Sequence, residues 1–424
     1  MNTSASVTHY GKVGKLDIQK VAMASFHEKG NARTVTLKEG NLVIENGGSV
    51  TLVSVTATEP GKATINNQGE LEVVAGNTSN YTITGSANET VNAAIEDNTF
   101  AIVNGVSKTS VSQEDFADGS KVVLLKDYDA THDQITLGSC TVVGNLTKLY
   151  AKVSGNKEVV LKNIHTTNVK IDDVAGFNGS LTFDGGLLET SDPGAEDANA
   201  AFYATKGLGS YTFKNMTIAA NVTKGIKIAS AKSVTIENCE FDASRLTSYV
   251  TGAESSLRSL SLIDIQEQNY MKNSNSTQKM TIKISGNHFA YAPQGKVLTG
   301  VADSDTAAAI KIKTEKQNER SAGFDKVTIT NNKFENCYRD VSVGCNVYQS
   351  ATAGKRVEDR DATGNTVVSP LWEVSGNTTT LTAEVVANRG ILTYRASADA
   401  DSIAAKVGRI EGGCALWETA RSAQ

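Results

Sequence analysis

With 424 residues, 39% of them hydrophobic, and a net charge of −5, the chain can bury a core but has the wrong charge balance for a nucleic-acid binder, which needs a basic stripe against phosphates. Its pI is about 5.7 and its mean hydropathy −0.24, and no apolar run approaches the roughly 18–20 residues of a membrane-spanning helix. The opening "MNTSASVTHYGKVGK" lacks the apolar centre of a secretory signal, so the chain is expected either to be made and assembled in a cytoplasm or to be numbered from after a removed leader.

Residues 15–29 place Ile18, Val21, Ala22 and Phe26 on one helical face, which predicts a capping helix or a docking arm. Residues 1–30 are accordingly expected to be an N-terminal arm that anchors the chain. Residues 33–103 alternate apolar and polar side chains ("RTVTLKEGNLVIENGGSVTLVSVTAT", "GELEVV", "NYTITG"). That is a strand signal. A small β-sandwich and irregular first coils of a solenoid both fit this β-rich region, 31–105.

Residues 116–144 ("FADGSKVVLLKDYDATHDQITLGSCTVVG") give a polar glycine turn, an apolar strand and a charged loop. Beyond them a phrase recurs: apolar-x-apolar-x-(Asn/Gly)-x-x-apolar. Leu181, Phe183, Gly185 and Leu188 spell it, as do Tyr211, Phe213, Asn215 and Ile218. Val234, Ile236, Asn238 and Phe241 repeat it, then Val327, Ile329, Asn331 and Phe334. Val159, Leu161 and Asn163 begin a weaker copy, and Met280, Ile282 and Phe289 make one with two extra residues in the turn. The copies start at 159, 181, 211, 234, 280 and 327, at intervals of 22, 30, 23, 46 and 47.

Alternation at period two predicts strands, and Asn or Gly at a fixed offset predicts a corner in the left-handed backbone region. "GIKIAS" (225–230), "SLIDIQ" (261–266) and "AAIKIKT" (308–314) each precede a copy, and "RDVSVG" (339–344) follows the last. Each long interval is therefore taken as one coil with an insertion. Three short strands per coil, stacked in register, predict an all-β fold: a right-handed parallel β-helix, whose hand follows the crossover rule. It spans 106–370, with stacked corner asparagines bonding along it. A β-sandwich with coincidental alternation is the competing arrangement; it supplies no reason for the repeated five-residue jump. After about 370 the pattern fades. Ile403, Val407 and Ile410 share one helical face, predicting a short helix in a C-terminal cap, 371–424, that covers the open end.

Chemistry is sparse. The chain lacks a phosphate-binding glycine loop, an H-E-x-x-H and a G-x-S-x-G elbow. Its five histidines, His9, His27, His132, His165 and His288, are scattered and read as surface or turn residues. The five cysteines, Cys140, Cys239, Cys337, Cys345 and Cys414, are odd in number and widely spaced, which predicts reduced thiols filling small apolar sites. Asp127, Asp129, His132 and Asp133 offer oxygen ligands for Ca2+. They lack the glycine and terminal glutamate of an EF-hand loop, so a solvated loop is the simpler expectation.

Stacking yields one sharper constellation. If Ile226/Ile228, Ile263/Ile265 and Ile310/Ile312 face inward, then Lys227, Asp264 and Lys311 face outward, one above another, and Tyr203 and Ser342 extend the column. Neighbouring strands lie about 4.8 Å apart, so this strip suits an extended glycan; the simpler alternative is a Lys–Asp–Lys surface ion pair that relieves like charge.

"SVTIENCEF", "YTFKNMTI" and "KVTITNNKFENC" resemble coils of the pectate-lyase-like right-handed parallel β-helix superfamily over roughly residues 110–370. That superfamily holds lyases, hydrolases, adhesins and phage tailspikes, so the resemblance implies a fold and not an activity. Of the polygalacturonase-like motifs, Asn-Thr-Asp and Gly-His-Gly are missing, and "GIKI" has Gly225 where an arginine should stand. A calcium-dependent lyase needs clustered acids, whereas Asp264 stands between two lysines. No catalytic residue is carried over. The resemblance implies a non-enzymatic structural or recognition protein of an exposed surface, best matched by a tailed-phage virion component such as a head fibre, decoration protein or tail fibre. Such a protein assembles in the host cytoplasm, contacts other virion proteins through its N-terminal arm, binds host-surface polysaccharide and, by analogy with β-helix spikes, forms a homotrimer. The alternatives are a glycan depolymerase using the same strip and a bacterial surface adhesin.

Overall fold

The computed structural model describes residues 1–21, 25–85, 91–93, 98–166, 170–171, 176–189, 200–219, 224–242, 261–269, 276–290, 308–314, 324–335, 337, 340–345, 358–360, 366–368, 372–379, 392–395, 409–411 and 414–416. The chain is all-β: its described elements are strands joined by turns, with short 3-10 turns at Thr78–Asn80 and Gln113–Phe116. Among the described residues no sheet closes on itself. Two compact units separate: Met1–Tyr128 with Cys140–Thr147, and Asp129–Ser139 with Lys148–Gln424.

In the first unit the chain alternates between two five-stranded parallel sheets. One holds β1 (Val7–His9), β3 (Ser25–Glu28), β5 (Gly40–Ile44), β7 (Ala63–Asn67) and β9 (Tyr81–Thr84). The other holds β2 (Lys12–Ile18), β4 (Asn31–Leu37), β6 (Ser49–Val55), β8 (Glu70–Ala75) and β10 (Val91–Ala93). Registry is residue for residue. Val7, Phe26, Leu42, Ile65 and Ile83 form one column; Leu16, Val35, Val53 and Val74 form another. Both feed one apolar core. At the corner after β3, a Cβ on Gly30 would lie 2.0 Å from the Gly11 carbonyl oxygen, so only glycine lets the chain pass that close.

The helix expected over 15–29 is replaced by strand. Lys12–Ile18, Lys20–Val21 and Ser25–Glu28 are extended; the register that pairs β2 with β4 and β3 with β5 buries Ile18 and Phe26, and Val21, paired with Thr3, is buried as well. Their spacing suits a helical face, but the neighbouring strands offer these residues a backbone partner and a core together, and tertiary context overrides the local pattern. The helix expected at 401–410 lies outside the described residues, apart from the strand Arg409–Glu411. An Asn104-Gly105 turn, with φ of +49° and +85°, joins the antiparallel strands Ala101–Val103 and Val106–Lys108, as a two-residue hairpin requires.

In the second unit the chain visits strands in threes. Strands β11 (Glu158–Thr166) and β12 (Ser180–Glu189) pair in parallel. After them come β13 (Ala200–Ala204), β14 (Ser210–Lys214) and β15 (Thr217–Ala219); β16 (Lys224–Ile228), β17 (Ser233–Glu237) and β18 (Glu240–Asp242); and β19 (Ser261–Glu267), β20 (Met280–Ser285) and β21 (His288–Ala290). Two further sets follow: β22 (Ala308–Thr314), β23 (Phe324–Thr330) and β24 (Lys333–Glu335), then β25 (Val341–Cys345), β26 (Trp372–Ser375) and β27 (Thr378–Thr379). First members pair with first members, second with second, and third with third, always in parallel. β28 (Leu392–Arg395) adds to the first series. Each set of three is called a rung below.

The recurring phrase is the second and third strand of each rung. Val234 pairs with Ile282 and Ile282 with Val327, while Met280 sits beside Phe324. The copy assigned to Met280 therefore begins at Ile282 and needs no extra turn residues. β17 pairs directly with β20, and β20 with β23, so each long interval adds one rung. Phe241, Phe289 and Phe334 stack with centroids 4.6 and 5.0 Å apart, and Phe183 stacks on Phe213 at 5.1 Å. Each such pair adds about 0.5–1.5 kcal/mol beyond the area it buries.

The corner follows one rule. Asn163, Gly185, Asn215, Asn238, Gly286, Asn331 and Gly376 all have φ between +53° and +71°, the region only Gly and Asn visit readily. Where an asparagine projects toward the next rung, a glycine often receives it: a Cβ on Gly286 would lie 2.5 Å from Asn238 Oδ1. These corner asparagines do not form the expected bonded stack. The residue after the corner does. Asn287 donates its Nδ2 to Asn332 Oδ1 at 2.9 Å and to the Ile236 carbonyl at 2.9 Å. Asn332 repeats this with Asn377 Oδ1 at 2.9 Å and the Ile284 carbonyl at 3.0 Å. The backbone N–H groups of Cys239, Asn287 and Asn332 donate to the next carboxamide along. All three asparagines are buried, and the ladder satisfies each carboxamide as burial demands.

Two neighbouring asparagines therefore separate the roles. Asn332→Ala strands buried donors and acceptors on the two flanking rungs and is expected to cost about 3–5 kcal/mol; Asn331→Gly keeps the left-handed corner and is expected to change stability by less than about 1 kcal/mol. Denaturant unfolding of the two variants measures both.

Candidate functional site

The column expected from stacking is present in the register. Tyr203 pairs with Lys227, Lys227 with Asp264, Asp264 with Lys311, and Lys311 with Ser342, across β13, β16, β19, β22 and β25. The isoleucines flanking these positions are buried in matching columns, Ile226–Ile263–Ile310 and Ile228–Ile265–Ile312. Alternation along a strand then sends Lys227, Asp264 and Lys311 to the opposite face.

That face is not the open strip the sequence suggests. Asp264 is 1% exposed and Lys311 7%. Leu262 and Ala309, on the same face by alternation, are buried as well. The start of the column keeps partial access: the Lys227 ammonium sits 4.7 Å from the centre of the Tyr203 ring, a cation–π contact. Gln266, two residues along the strand, reaches both Asp264 carboxylate oxygens at 3.3 Å. Opposite charges on adjacent rungs compensate one another where water is excluded, and removing one leaves the other stranded. Chemically, the site offers one carboxylate between two ammonium groups.

The Asp127–Asp133 loop shows a different use of its acids. Asp129 Oδ1 accepts from the Thr131 hydroxyl at 2.6 Å and the Thr131 N–H at 3.0 Å, with His132 Nδ1 at 3.5 Å. These bonds, Thr131 first, hold the Asp129 carboxyl below its usual range. Among the described residues, no three acids, histidines or cysteines gather as a metal would require.

Several features carry no signal in the motif search. Asp340 is 1% exposed; its Oδ1 lies 3.2 Å from the Thr379 hydroxyl, and its Oδ2 has no hydrogen-bond partner among the described residues. Burial pushes its carboxyl up to about 7. In sequence it is an ordinary acid before "VSVG", and Thr379 approaches it only through the register. Cys140, Cys239 and Cys337 are free and buried, as expected of filler thiols. Burial pushes Cys140 up to about 11, with Asp118 adding to it; burial and then Asp340 push Cys337 well up. Each of the five histidines lies against a carboxylate: His9 on Glu28, His27 on Glu45, His132 on Asp129, His165 on Glu189, and His288 on Glu240 and Glu335.

On the outer side of the long sheet, lysines bridge rungs: Lys214 to Asp184 at 2.9 Å, Lys283 to Glu237, and Lys326 to Glu373 at 3.0 Å. Partly exposed pairs of this kind contribute little individually. Searches against protein-family models, curated proteins and solved structures find no match for the chain.

Asp340 sets a pH dependence with a definite sign. Its carboxyl rises from 3.8 to about 7 on folding, so between those values the folded chain holds a proton that the unfolded chain has released. Stability therefore falls as pH rises through that window. Asp340→Asn, which mimics the protonated form, is expected to match the parent near pH 4 and to exceed it by roughly 2–4 kcal/mol at pH 8 in denaturant unfolding. Peptide-resolved alkylation is expected to leave Cys140, Cys239 and Cys337 unmodified in the folded protein and to label them on unfolding.

Proposed function

We propose that the chain is a right-handed parallel β-helix with three strands per coil, similar to the pectate-lyase-like superfamily, and that it is a structural and recognition protein of an exposed surface. A virion component of a tailed phage, a head fibre, decoration protein or tail fibre, is the form that fits best. The observation that carries this reading is the bonded run Asn287–Asn332–Asn377, which ties successive rungs through buried carboxamides. Stacked phenylalanines and rung-bridging lysines point the same way. Together they describe a stiff element that needs no mobile cleft. Buried free thiols suit assembly in a reducing host cytoplasm. In this reading the protein sits on the virion surface, joins other virion proteins, assembles as a homotrimer and meets host-surface polysaccharide.

A second reading has one observation in its favour. Asp264 stands in register between Lys227 and Lys311, a charge pattern that an acidic glycan could address once the face is uncovered. This is the glycan depolymerase alternative, with Asp264 as its essential acid. The burial of Asp264 and Lys311 weighs against it.

Genomic neighbours and purified particles test the first reading. Capsid, portal or tail genes beside this one, and the chain in the proteome of the particle, are expected; a neighbourhood of secretion or carbohydrate-utilisation genes would overturn the virion assignment. A panel of acidic and host-surface polysaccharides tests the second. No product release is expected from the parent, and release that Asp264→Asn abolishes would replace the structural reading with the enzymatic one.

A further inference from the structure

His288 lies on β21 between two carboxylates from different rungs. Its Nδ1 is 2.8 Å from Glu240 Oε1 and 2.9 Å from Oε2. Its Nε2 is 3.0 Å from Glu335 Oε2, in a charge contact rather than a directed hydrogen bond. Ionised carboxylates only accept hydrogen bonds, and an imidazole has two N–H groups only when it carries a proton on each nitrogen. A neutral ring would turn a lone pair toward one of the two acids. The groups facing His288 are Glu240, with Asp242 further along β18, and Lys333 with Glu335 on β24. Lys333 also pairs with Glu335, and these cations, Lys333 first, hold that carboxyl below its usual range. Glu335 thus stays ionised in mild acid.

The first unit repeats the arrangement in a drier setting. His9 Nδ1 lies 2.8 and 3.0 Å from the two oxygens of Glu28, whose side chain is fully buried. The Gly30 N–H donates to the same carboxylate at 2.7 Å. β1 is an edge strand, so Glu28 on β3 is the ionisable group that faces His9 from its one neighbour. A buried carboxylate whose cation discharges is left uncompensated.

We propose that His288 and His9 are pH-gated staples: as imidazolium groups they tie Glu240 to Glu335 across three rungs and neutralise buried Glu28, so that the fold is held more firmly in mildly acidic surroundings than at neutral or alkaline pH. The contribution is present while each ring is an imidazolium against ionised carboxylate and is lost when the ring discharges. Asp340, protonated in mild acid, acts with the same sign. The staples suit a surface protein that meets acidic host or environmental fluids, a role that rests on the proposed function.

The test compares the full-length parent with His288→Gln and His9→Gln at pH 5.5 and pH 8, by hydrogen exchange at the amides of 288–290 and of 7–9 and by denaturant midpoint. Glutamine keeps a donor and loses the charge. Each substitution is expected to raise local opening roughly fivefold or more at pH 5.5 and less than about twofold at pH 8. Differencing the variant against the parent at each pH cancels Asp340. Equal losses at both pH values, or a larger loss at pH 8, would overturn the proposal. Should His9→Gln fail to fold, Glu28→Gln takes its place: it is expected to flatten the dependence of the 7–9 amides on pH, and an unchanged dependence sinks the staple there.

Discussion

A backbone that must turn left-handed at the same point of every rung governs the second unit. Seven positions from Asn163 to Gly376 satisfy it, and no β-branched or aromatic residue could do so without strain. Because the turn is fixed, the residue after it lands inside at six of the seven corners, Gly186 being half-buried, and the apolar residues two and four places before it land in the same columns. Ile164, Met216 and Cys239 take that inner place in the earlier rungs, and Asn287, Asn332 and Asn377 in the later ones. A buried carboxamide is costly unless its donors and acceptor are met, and in the later rungs they are met by the neighbouring carboxamide together with backbone groups.

The same registry explains the distribution of charge. Outside the long sheet, opposite charges on neighbouring rungs are matched in pairs that remain half exposed. On the face carrying Lys227, Asp264 and Lys311 the matching is equally regular, but the later members are buried. Charge compensation inside is a condition for folding, whereas outside it is a minor refinement. Asp340 departs from this pattern: among the described residues its partner is a hydroxyl rather than a cation, and burial keeps it protonated.

Much of this was legible in the sequence. The period-two phrase and its Asn or Gly corner gave the columns, the one-rung reading of the long intervals and the order Tyr203–Lys227–Asp264–Lys311–Ser342. Placing one copy at Met280 kept its side chains on the correct face, because a shift of two preserves parity in a strand, but it chose the wrong neighbours; Gly286, standing where Asn238 and Asn331 stand, marks the true corner. The asparagine ladder is written in the sequence as "GNHF", "NNKF" and "GNTT", one residue beyond the left-handed corner, where the pattern of the phrase carries no constraint. What alternation cannot reveal is whether a face opposite the core is covered, so Asp264 and Lys311 were expected in solvent. Residues 15–29 differ for another reason: spacings of three and four also arise when short strands are broken by turns, and nothing local shows that parallel partner strands await.

Residue-for-residue pairing also bears on how such a chain changes length over generations. A whole rung can be duplicated or deleted and the flanking rungs will meet with their columns intact, since each presents the same corner and the same inward positions. A single residue gained within a strand would instead invert every side chain beyond it. Growth by complete modules is tolerated while small slips are purged, so homologues are expected to differ in reach by integral steps and in their connecting segments almost freely.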